Sequence, residues 1–402
     1  MPAVLFIGAG RHQVPYIRRV REEFGYRVVA VDARADAPGL AIADAGHAAS
    51  AHEDLVRIAR EEAVDGVMTV ASDRAVPQVA AVAEDAGLPS IGRRTAQLMT
   101  DKVAMRERFH EAGVPQPAFG SAGSRDELVA LATEIGFPAV IKPADSSGQR
   151  GIAQVGSLDD VLAWADEAFA ASSTGRVIME RFHDLPEVNV LAVVRGGAVS
   201  IVSLSDRVRP EGVGFGVATL HRFPTQVGDA AAQAVREVAT AAIEATGLVN
   251  GVAYPQVLAG GPGATYMVEI ASRIPGGRMG DVPLYGAGVD LLDVVLRTAV
   301  GAEVPDAIAT PQFERPLAIR FLTSTPGHLP VGTVAAWDGL DDVRTAPGVV
   351  DAMCWLEPGM EIRPVQVDGD RKGFAIAVGD TVEEAVRRAD DALGRIRITL
   401  AR

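Results

Sequence analysis

The residues best suited to chemistry surround a loop of small side chains at positions 145–151. Segment 137–152, FPAVIKPADSSGQRGI, predicts an apolar strand that ends near Lys142 and is followed by this loop. Serine and glycine let a backbone bend freely and present N–H and hydroxyl donors without bulk, which suits phosphate oxygens. A hairpin with a glycine-rich turn has the same local pattern, so the loop alone leaves both interpretations open.

Lysine is rare in this chain, which strengthens the interpretation of Lys142. Among 38 basic residues only three are lysines, at positions 102, 142 and 372. Lysine carries a compact ammonium on a flexible stem, whereas arginine presents a planar fork. A chain that otherwise uses arginine is expected to keep lysine where a point charge is needed. Lys102 and Lys142 are therefore candidate ligands of a nucleotide phosphate.

Length and composition predict a soluble protein of two to three domains. The chain has 402 residues, of which 48% are apolar and 22% charged, and its net charge is −14. This charge argues against a nucleic-acid partner, which requires a basic face. No stretch approaches a membrane span and the N-terminus has no basic leader, so no membrane partner and a cytoplasmic location are expected. The single cysteine, Cys354, permits no internal disulfide and is interpreted as filler of the core.

The first 95 residues predict a small α/β domain with a parallel sheet. Segment 3–32 predicts a β-α-β unit whose first turn carries Gly8-Ala9-Gly10. Asp32 closes the second strand, as in dinucleotide-binding domains, although Gln13 stands in place of the third glycine. A nicotinamide-dependent dehydrogenase is therefore one alternative.

The remaining chain predicts a longer series of helices and strands. A helix begins near Lys102, with Thr100 as its predicted N-cap. Strands at 251–258 and 265–270 place polar residues among apolar ones. After a proline-containing linker at 304–316, strands separated by Pro-Gly turns and a final helix predict a smaller α+β region.

Taken in order, the polar residues of this chain resemble the motif series of the ATP-grasp superfamily. The series is Lys102, Lys142, the loop 145–151, Glu180-Arg181-Phe182, Glu187, Gln256, Glu269 and Arg273. Segments 1–20, 101–117 and 268–277 add to the likeness. Segments 322–332 and 346–350 resemble the extra domain of the L-amino-acid ligase group, which joins a carboxylate to an amine.

This resemblance covers nearly the whole chain and implies a mixed α/β and α+β fold. It implies an N-terminal Rossmann-like parallel-sheet domain at 1–95 and a central ATP-grasp domain at 96–310. A smaller C-terminal α+β domain would occupy 311–402. A homodimer is compatible with this organisation.

The resemblance also assigns nucleotide-binding roles by position. Lys102 and Lys142 would contact the phosphates of ATP, and Glu187 would accept hydrogen bonds from the ribose. The segment Glu180-Arg181-Phe182 would line the adenine, with backbone groups at Glu180 and Phe182 reading its edge. The loop would cover the β- and γ-phosphates through Ser146, Ser147, Gly148 and Gly151, although Gln149 and Arg150 depart from the family's usual glycines.

The implied metal site departs from the family pattern. Glu269 would bridge Mg²⁺, or Mn²⁺, to the phosphates, and Gln256 stands where many members carry glutamate. Ala271 stands where many carry asparagine, which puts a second metal ion in doubt. Arg273 would stabilise charge on the transferring phosphoryl group, whereas His221, Arg207 and Arg209 are candidates for binding the carboxylate or the acyl phosphate.

The predicted function is that of an ATP-dependent ligase acting on a small-molecule carboxylate and an amine. It would activate the carboxylate as an acyl phosphate and release ADP and phosphate. Another ATP-grasp branch, such as a purine-biosynthesis ligase or carboxylase, is an alternative. The dehydrogenase and a nucleotide-binding regulator without turnover are others. The residues leave the identity of the acid and the amine open.

Overall fold

The computed structural model describes residues 1–145 and 151–401. Its N-terminal region is a parallel sheet covered by helices. The elements are β1 (Ala3–Ile7), α1 (Val14–Glu22), β2 (Arg27–Asp32), β3 (Ala45–Ala48), α2 (His52–Glu61), β4 (Gly66–Met68), α3 (Val76–Ala86) and α4 (Arg93–Leu98). The strands lie in the order β3-β2-β1-β4 and pair in parallel. All five residues of β1 are buried, as expected for a parallel strand with helices on both faces.

The first β-α turn of this region is held together by its own side chains. The Asp32 carboxylate accepts hydrogen bonds from the backbone N–H groups of Ala9, at 2.8 Å, and Arg34, at 3.0 Å. The Gln13 amide donates to the carbonyl oxygen of Val70 at 2.9 Å. Asp32 thus holds its own turn together, and a dinucleotide ribose would have to share the carboxylate with these two backbone N–H groups. The turn therefore gives the dehydrogenase alternative no support.

A second, four-stranded antiparallel sheet follows a helix that begins at Lys102. Its elements are α5 (Lys102–Glu111), β5 (Phe119–Ala122), α6 (Arg125–Ile135), β6 (Ala139–Pro143), β7 (Ala153–Val155), α7 (Leu158–Ala170) and β8 (Val177–Arg181). The strand order is β5-β8-β6-β7. The predicted cap of α5 is wrong by one residue. Asp101 caps this helix by accepting from the N–H groups of Val103 and Ala104, since a carboxylate at this position reaches the first free donors.

The largest sheet has eight antiparallel strands and joins the middle of the chain to its C-terminal part. Its strands are β9 (Glu187–Arg195), β10 (Ala198–Val208), β11 (Leu220–Phe223), β12 (Gly251–Leu258), β13 (Tyr266–Ala271), β14 (Leu317–Leu322), β16 (Val349–Cys354) and β18 (Gly373–Val378). The order is β13-β12-β9-β10-β11-β14-β18-β16. Because β11 pairs with β14, the sheet continues across residue 310. The division into three domains stays a prediction.

Helices and a small third sheet complete the chain. The helices are α8 (Asp229–Thr246), α9 (Asp281–Ala287), α10 (Leu291–Ala299), α11 (Asp306–Ala309), α12 (Leu340–Arg344) and α13 (Val382–Leu393). The third sheet has the order β17-β15-β19, formed by β15 (Gly332–Asp338), β17 (Glu361–Ile362) and β19 (Arg397–Leu400). The predicted fold class is thus confirmed. Within the described part of the chain, no helix combines the length and apolarity that a membrane crossing requires.

Candidate active site

The three regions of the chain meet at one large cleft, which we call the central cleft. Its volume is about 1740 Å³. The charged side chains that line it include two groups: the Glu269 end, with Asp73, Lys102, Glu269 and Arg273, and the Asp281 end, with Arg278, Asp281 and Asp351. The sequence predicted a site at Lys102, Glu269 and Arg273 and gave no indication of the second group.

Lys142 lies in a buried cluster of charges beside this cleft. Its Nζ is 2.8 Å from Oε2 of Glu180, and Arg106 donates from Nε to the other carboxylate oxygen at 2.6 Å. Burial lowers the pKa of Lys142 to about 8, although Glu180 opposes this shift. Burial also acts to raise the pKa of Glu180, but Arg106 and Lys142 hold it below its usual value. The Glu180 side chain therefore positions Lys142, and only its backbone is left for the predicted contact with adenine.

Lys102 connects the small-residue loop to the Glu269 end. It is the first residue of α5, and its backbone N–H donates to the carbonyl oxygen of Ala144 at 3.1 Å, directly before the loop. Its Nζ lies 3.8 Å from Oε2 of Glu269. The two residues predicted to contact phosphate and metal are thus neighbours.

Glu269 and Gln256 face each other on adjacent strands. They are direct partners in the register of β12 and β13. The Glu269 side chain is 37% exposed, whereas Gln256 is buried and donates from Nε2 to the Tyr254 hydroxyl at 2.9 Å. This hydrogen bond uses the amide nitrogen, so Gln256 would bind a cation through Oε1.

The donor set at this end suits a hard cation that is shared with phosphate oxygens. One carboxylate and one amide oxygen are the ligand types that Mg²⁺ takes together with substrate phosphates. Ala271 supplies no ligand atom. Among residues 1–145 and 151–401, no group of three or more His, Cys, Asp or Glu side chains could hold a metal ion alone. A metal ion bound here would therefore depend on the nucleotide.

Arg273 is oriented by an acid from the N-terminal region. Its Nε and Nη2 atoms donate to the two carboxylate oxygens of Asp73, each at 2.6 Å. The remaining nitrogen, Nη1, is buried and has no hydrogen-bond partner within the described chain. An unpartnered buried donor is costly unless a ligand satisfies it, so this atom points to an anionic ligand. The sequence did not reveal Asp73, which lies 200 positions earlier.

A chain of hydrogen bonds links Tyr254 to His221, and both residues line the cleft. The Tyr254 hydroxyl donates to Oδ1 of Asn189 at 2.7 Å, and Nδ2 of Asn189 lies 3.2 Å from Nδ1 of His221. His221 is buried, and its burial, together with Arg207 and Arg371, lowers its pKa well below the usual value. A neutral imidazole offers an N–H group and no charge, so any charge that binds an anion here must come from the arginines.

Glu187 and its arginine neighbours form a separate ionic group. Glu187 and Arg207 pair across β9 and β10, with Arg207 Nε at 3.4 Å and Arg209 Nε at 3.6 Å from the carboxylate. Arg207 also donates to the carbonyl oxygen of Gly216 at 2.6 Å and lines the cleft. A ribose would share the Glu187 carboxylate with these arginines. Its predicted role stays a prediction.

The other predicted nucleotide-binding residues are only partly described. Arg181 donates to the carbonyl oxygen of Ile135 at 3.3 Å, and the Phe182 N–H donates to that of Pro138 at 3.0 Å. Gly151 has a φ of 69°, and a Cβ there would lie 2.7 Å from the Cβ of Ala171, so only glycine fits. The predicted phosphate ligands Ser146, Ser147 and Gly148 lie outside the described residues.

Comparisons with known proteins agree with this geometry. Residues 101–307, more than half of the chain, match the family model of the carbamoyl-phosphate synthase L chain, ATP binding domain. Residues 320–401 match the L-amino acid ligase C-terminal domain 2. A formate-dependent phosphoribosylglycinamide formyltransferase from Syntrophotalea carbinolica is 28% identical over 387 residues, covering 94% of this chain and 92% of that protein.

Two solved structures share the fold. The L-amino acid ligase from Bacillus licheniformis has a TM-score of 0.85 at 21% identity, covering 100% of this chain and 99% of that one. The biotin carboxylase domain of the Hydrogenobacter thermophilus 2-oxoglutarate carboxylase has a TM-score of 0.78 at 20% identity, covering 99% and 90%. That domain was solved as a dimer with MgADP, ADP and bicarbonate.

Proposed function

Because the chain belongs to the ATP-grasp superfamily of ATP-dependent ligases, within the family of the carbamoyl-phosphate synthase L chain ATP-binding domain, we propose that it joins a carboxylate to an amine through an acyl phosphate. The observation that carries this proposal is the meeting of Lys102, Glu269 and Arg273 at one end of the central cleft. A γ-phosphate there would lie among two cations and a carboxylate able to hold a metal ion. Phosphoryl transfer requires this kind of positioning and charge neutralisation.

In this proposal both lysines bind the nucleotide from beside the residues that lead into the small-residue loop. Lys142 and Lys102 supply the ammonium groups. Glu180 orients Lys142, and the backbone contact with Ala144 positions Lys102. Both groups are buried to about nine-tenths, which strengthens their attraction for phosphate oxygens. The loop residues Ser146, Ser147, Gly148 and Gly151 keep their proposed role of covering the β- and γ-phosphates.

Glu269 and Oε1 of Gln256 would hold Mg²⁺, or Mn²⁺, as a single ion. When bound, such an ion neutralises charge on the phosphates that share it. The presence of MgADP in the related biotin carboxylase domain supports this assignment. Ala271 favours one ion over two, because the position that would complete a second set of ligands has no donor atom.

The carboxylate substrate would bind beside the γ-phosphate, within reach of Arg273. The buried Nη1 of Arg273 is available to an anion, while Asp73 fixes the plane of the guanidinium. Arg207 adds positive charge, and neutral His221 adds an N–H group. One carboxylate oxygen attacks the γ-phosphorus, the bond to ADP breaks, and the arginines balance the charge that develops on the transferring group.

The match to the L-amino acid ligase C-terminal domain 2 supports an amino acid as the amine, and thus an acid–amino-acid ligase. The formyltransferase relative, which the chain matches over almost its full length, supports a second candidate. In that case the acid would be as small as formate and the amine would carry a phosphoribosyl group. A homodimer, as in the biotin carboxylase neighbour, stays a prediction for this chain.

A screen of ADP release tests the proposal and separates its two forms. The twenty common L-amino acids are supplied in pairs, and formate is supplied with phosphoribosylglycinamide, each with ATP and Mg²⁺. We expect ADP and phosphate to form only when an acid is present, with an amide as the second product. Hydroxylamine should replace the amine and give a hydroxamate. ATP that is bound but never consumed would contradict the proposal and favour a regulator.

A further inference from the structure

The loop after Arg273 carries a second group of charges into the central cleft. It is held between two regions of the chain, because the Ile274 carbonyl accepts from the N–H of Ala71, and a Cβ at Gly277 would lie 3.6 Å from the Phe321 ring. The next residue, Arg278, has a φ of 64°, which is unusual for a residue with a side chain. Its guanidinium lies 4.8 Å from the centre of the Phe374 ring. The backbone therefore takes an uncommon conformation to place Arg278 in the cleft.

Asp281 and Asp351 share this one guanidinium. Arg278 pairs with Asp351 on β16 through Nη2 and lies 2.7 Å from Oδ2 of Asp281 through Nε. The contact with Asp281 is an ion pair, but its alignment is too poor for a hydrogen bond. The Asp281 side chain is only 9% exposed, and its Oδ2 has no hydrogen-bond partner within residues 1–145 and 151–401. Two carboxylates and one guanidinium leave one negative charge, together with an unsatisfied acceptor that lines the cleft.

Oδ2 of Asp281 is paired by charge with Arg278 but lacks an aligned hydrogen-bond donor, and a ligand that supplies such a donor would stabilise it. The excess negative charge specifies a cationic donor. The amine of a carboxylate–amine ligase is a cation at neutral pH, and its nitrogen must lose a proton before it can attack the acyl phosphate. We propose that Asp281 binds the ammonium group of the amine substrate and acts as the base that prepares it for attack. This inference rests on the proposed function. It assigns Asp281 to the second step of that reaction, in which the amine attacks the acyl phosphate.

The ammonium transfers one proton to the Asp281 carboxylate and becomes a neutral amine. The nitrogen lone pair then attacks the carbonyl carbon of the acyl phosphate, the bond from that carbon to the phosphate oxygen breaks, and phosphate leaves with the electron pair. The second proton lost from nitrogen goes to the departing phosphate, so the products are an amide, inorganic phosphate and a protonated Asp281 that returns its proton to water.

The charges around Asp281 suit this role. Burial raises the pKa of Asp281 to about 7, Arg278 opposes the rise and Asp351 adds to it. A base of this pKa is about half ionised at pH 7, and its ionised form accepts a proton readily. The titratable and charged groups that face Asp281 from the surrounding elements are Tyr16, Arg19, Arg278, Tyr285, Asp290 and Asp351.

Asp281→Asn, compared with two acceptors, tests this inference. Hydroxylamine is already neutral at pH 7 and needs no base, whereas an L-amino acid needs one. With the amino-acid pair that is most active in the screen above, we expect the variant to lose about 10²-fold in kcat/KM for the amine at pH 7. The loss should shrink as the pH rises, because the amine then loses its proton to water. Hydroxamate formation should stay at the wild-type rate.

A matched control is Asp293→Asn, which removes a partly buried carboxylate that pairs with Arg297 on α10 and leaves the cleft intact. This control should act as wild type with both acceptors. Equal losses of Asp281→Asn with amino acid and hydroxylamine would overturn the inference, as would no loss with either. Failure of the wild-type protein to form any hydroxamate would instead overturn the proposed function, and the inference with it.

Discussion

Asp32 and Glu269 are both carboxylates at the end of an apolar strand, and both suggest a nucleotide site in the sequence, yet the structure uses them differently. Asp32 accepts two backbone N–H groups of its own turn. Glu269 instead faces the central cleft with 37% of its side chain exposed and lies 3.8 Å from the ammonium of Lys102. The Asp32 carboxylate stabilises its own turn, whereas the Glu269 carboxylate is exposed to the cleft beside a cation and can bind a ligand there.

The largest effect is expected from removing the charge of Glu269. Glu269→Gln should lower turnover on the order of 10³-fold, because a neutral amide would hold the metal ion poorly and the charge on the phosphoryl group would then be neutralised less. Some ATP binding should remain, since both lysines are intact. Asp32→Asn is the matched control and should keep full turnover while it lowers the free energy of unfolding by about 1–2 kcal/mol. Assays of ADP release and denaturant unfolding check both variants. Equal turnover in the two variants would contradict the distinction between a structural Asp32 and a functional Glu269.

Gln256 provides a second comparison at the same site. Gln256→Ala should reduce turnover less than Glu269→Gln does, because a neutral ligand contributes less to binding a cation. Steady-state assays over a range of Mg²⁺ concentrations check this ranking. A Gln256 variant that is less active than the Glu269 variant would mean that the amide is the main metal ligand.

Lys142→Met is expected to have the next largest effect. Hydrogen bonds to charged groups contribute about 1.5–3 kcal/mol, so the affinity for ATP should fall about 10- to 100-fold. In this variant Glu180 would keep only Arg106 as a partner, so a lower melting temperature is expected as well. Calorimetry with ATP on the folded variant decides, and an unchanged affinity would refute the assignment.

Asp73→Asn should have a smaller effect, confined to the chemical step. The variant keeps the shape of the side chain but loses the charge that orients Arg273, and kcat should fall about tenfold, a modest loss for a residue that acts through another. The KM for ATP should change little, because Asp73 has no predicted contact with nucleotide. Steady-state kinetics with ATP varied at saturating acid would show the separation. A rise in KM with unchanged kcat would mean that Arg273 binds the nucleotide in its ground state.

The smallest effect is a pH dependence that Lys142 should impart. With a pKa of about 8, its protonated fraction falls about fourfold between pH 7 and pH 8.5, and the affinity for ATP should fall with it. Between this pKa and the ordinary value of 10.5, the unfolded chain binds the extra proton, so the contribution of Lys142 to stability rises with pH. Calorimetry at several pH values should show both trends in the wild type. Lys142→Met should show neither.

Local pattern was sufficient to predict several strands and to name candidates, such as Lys102, Glu269 and Arg273, that the structure places together in the central cleft. The apolar runs at Ala3–Ile7 and Arg27–Asp32 gave their strands without error, and the strand that carries Glu269 follows the same logic. Partners that come from distant segments could not be predicted. Arg106 lies 74 positions from Glu180, and Asp73 lies 200 positions from Arg273. The residues adjacent to either partner in the sequence do not predict these contacts.

The Asp281 end is a second case in which the local sequence does not reveal a contact between distant segments. Arg278, Asp281 and Asp351 do not belong to a recognisable sequence motif. They form ion pairs only because the fold packs β16 against the loop after Arg273. The continuation of the large sheet across residue 310 likewise depends on the pairing of β11 with β14, a contact between segments almost 100 residues apart. The sequence shows which residue types are present, but it does not show which distant residues pair in the fold.

The central claim is that a carboxylate attacks the γ-phosphate of ATP at the Glu269 end. The most direct measurement is the fate of oxygen in an acid labelled with ¹⁸O in its carboxylate, followed by phosphorus NMR during turnover with the amine. Formation of an acyl phosphate predicts that one labelled oxygen appears in inorganic phosphate, with ADP as the nucleotide product. Label in AMP would mean attack at the α-phosphate through an adenylate, and that result would contradict the account.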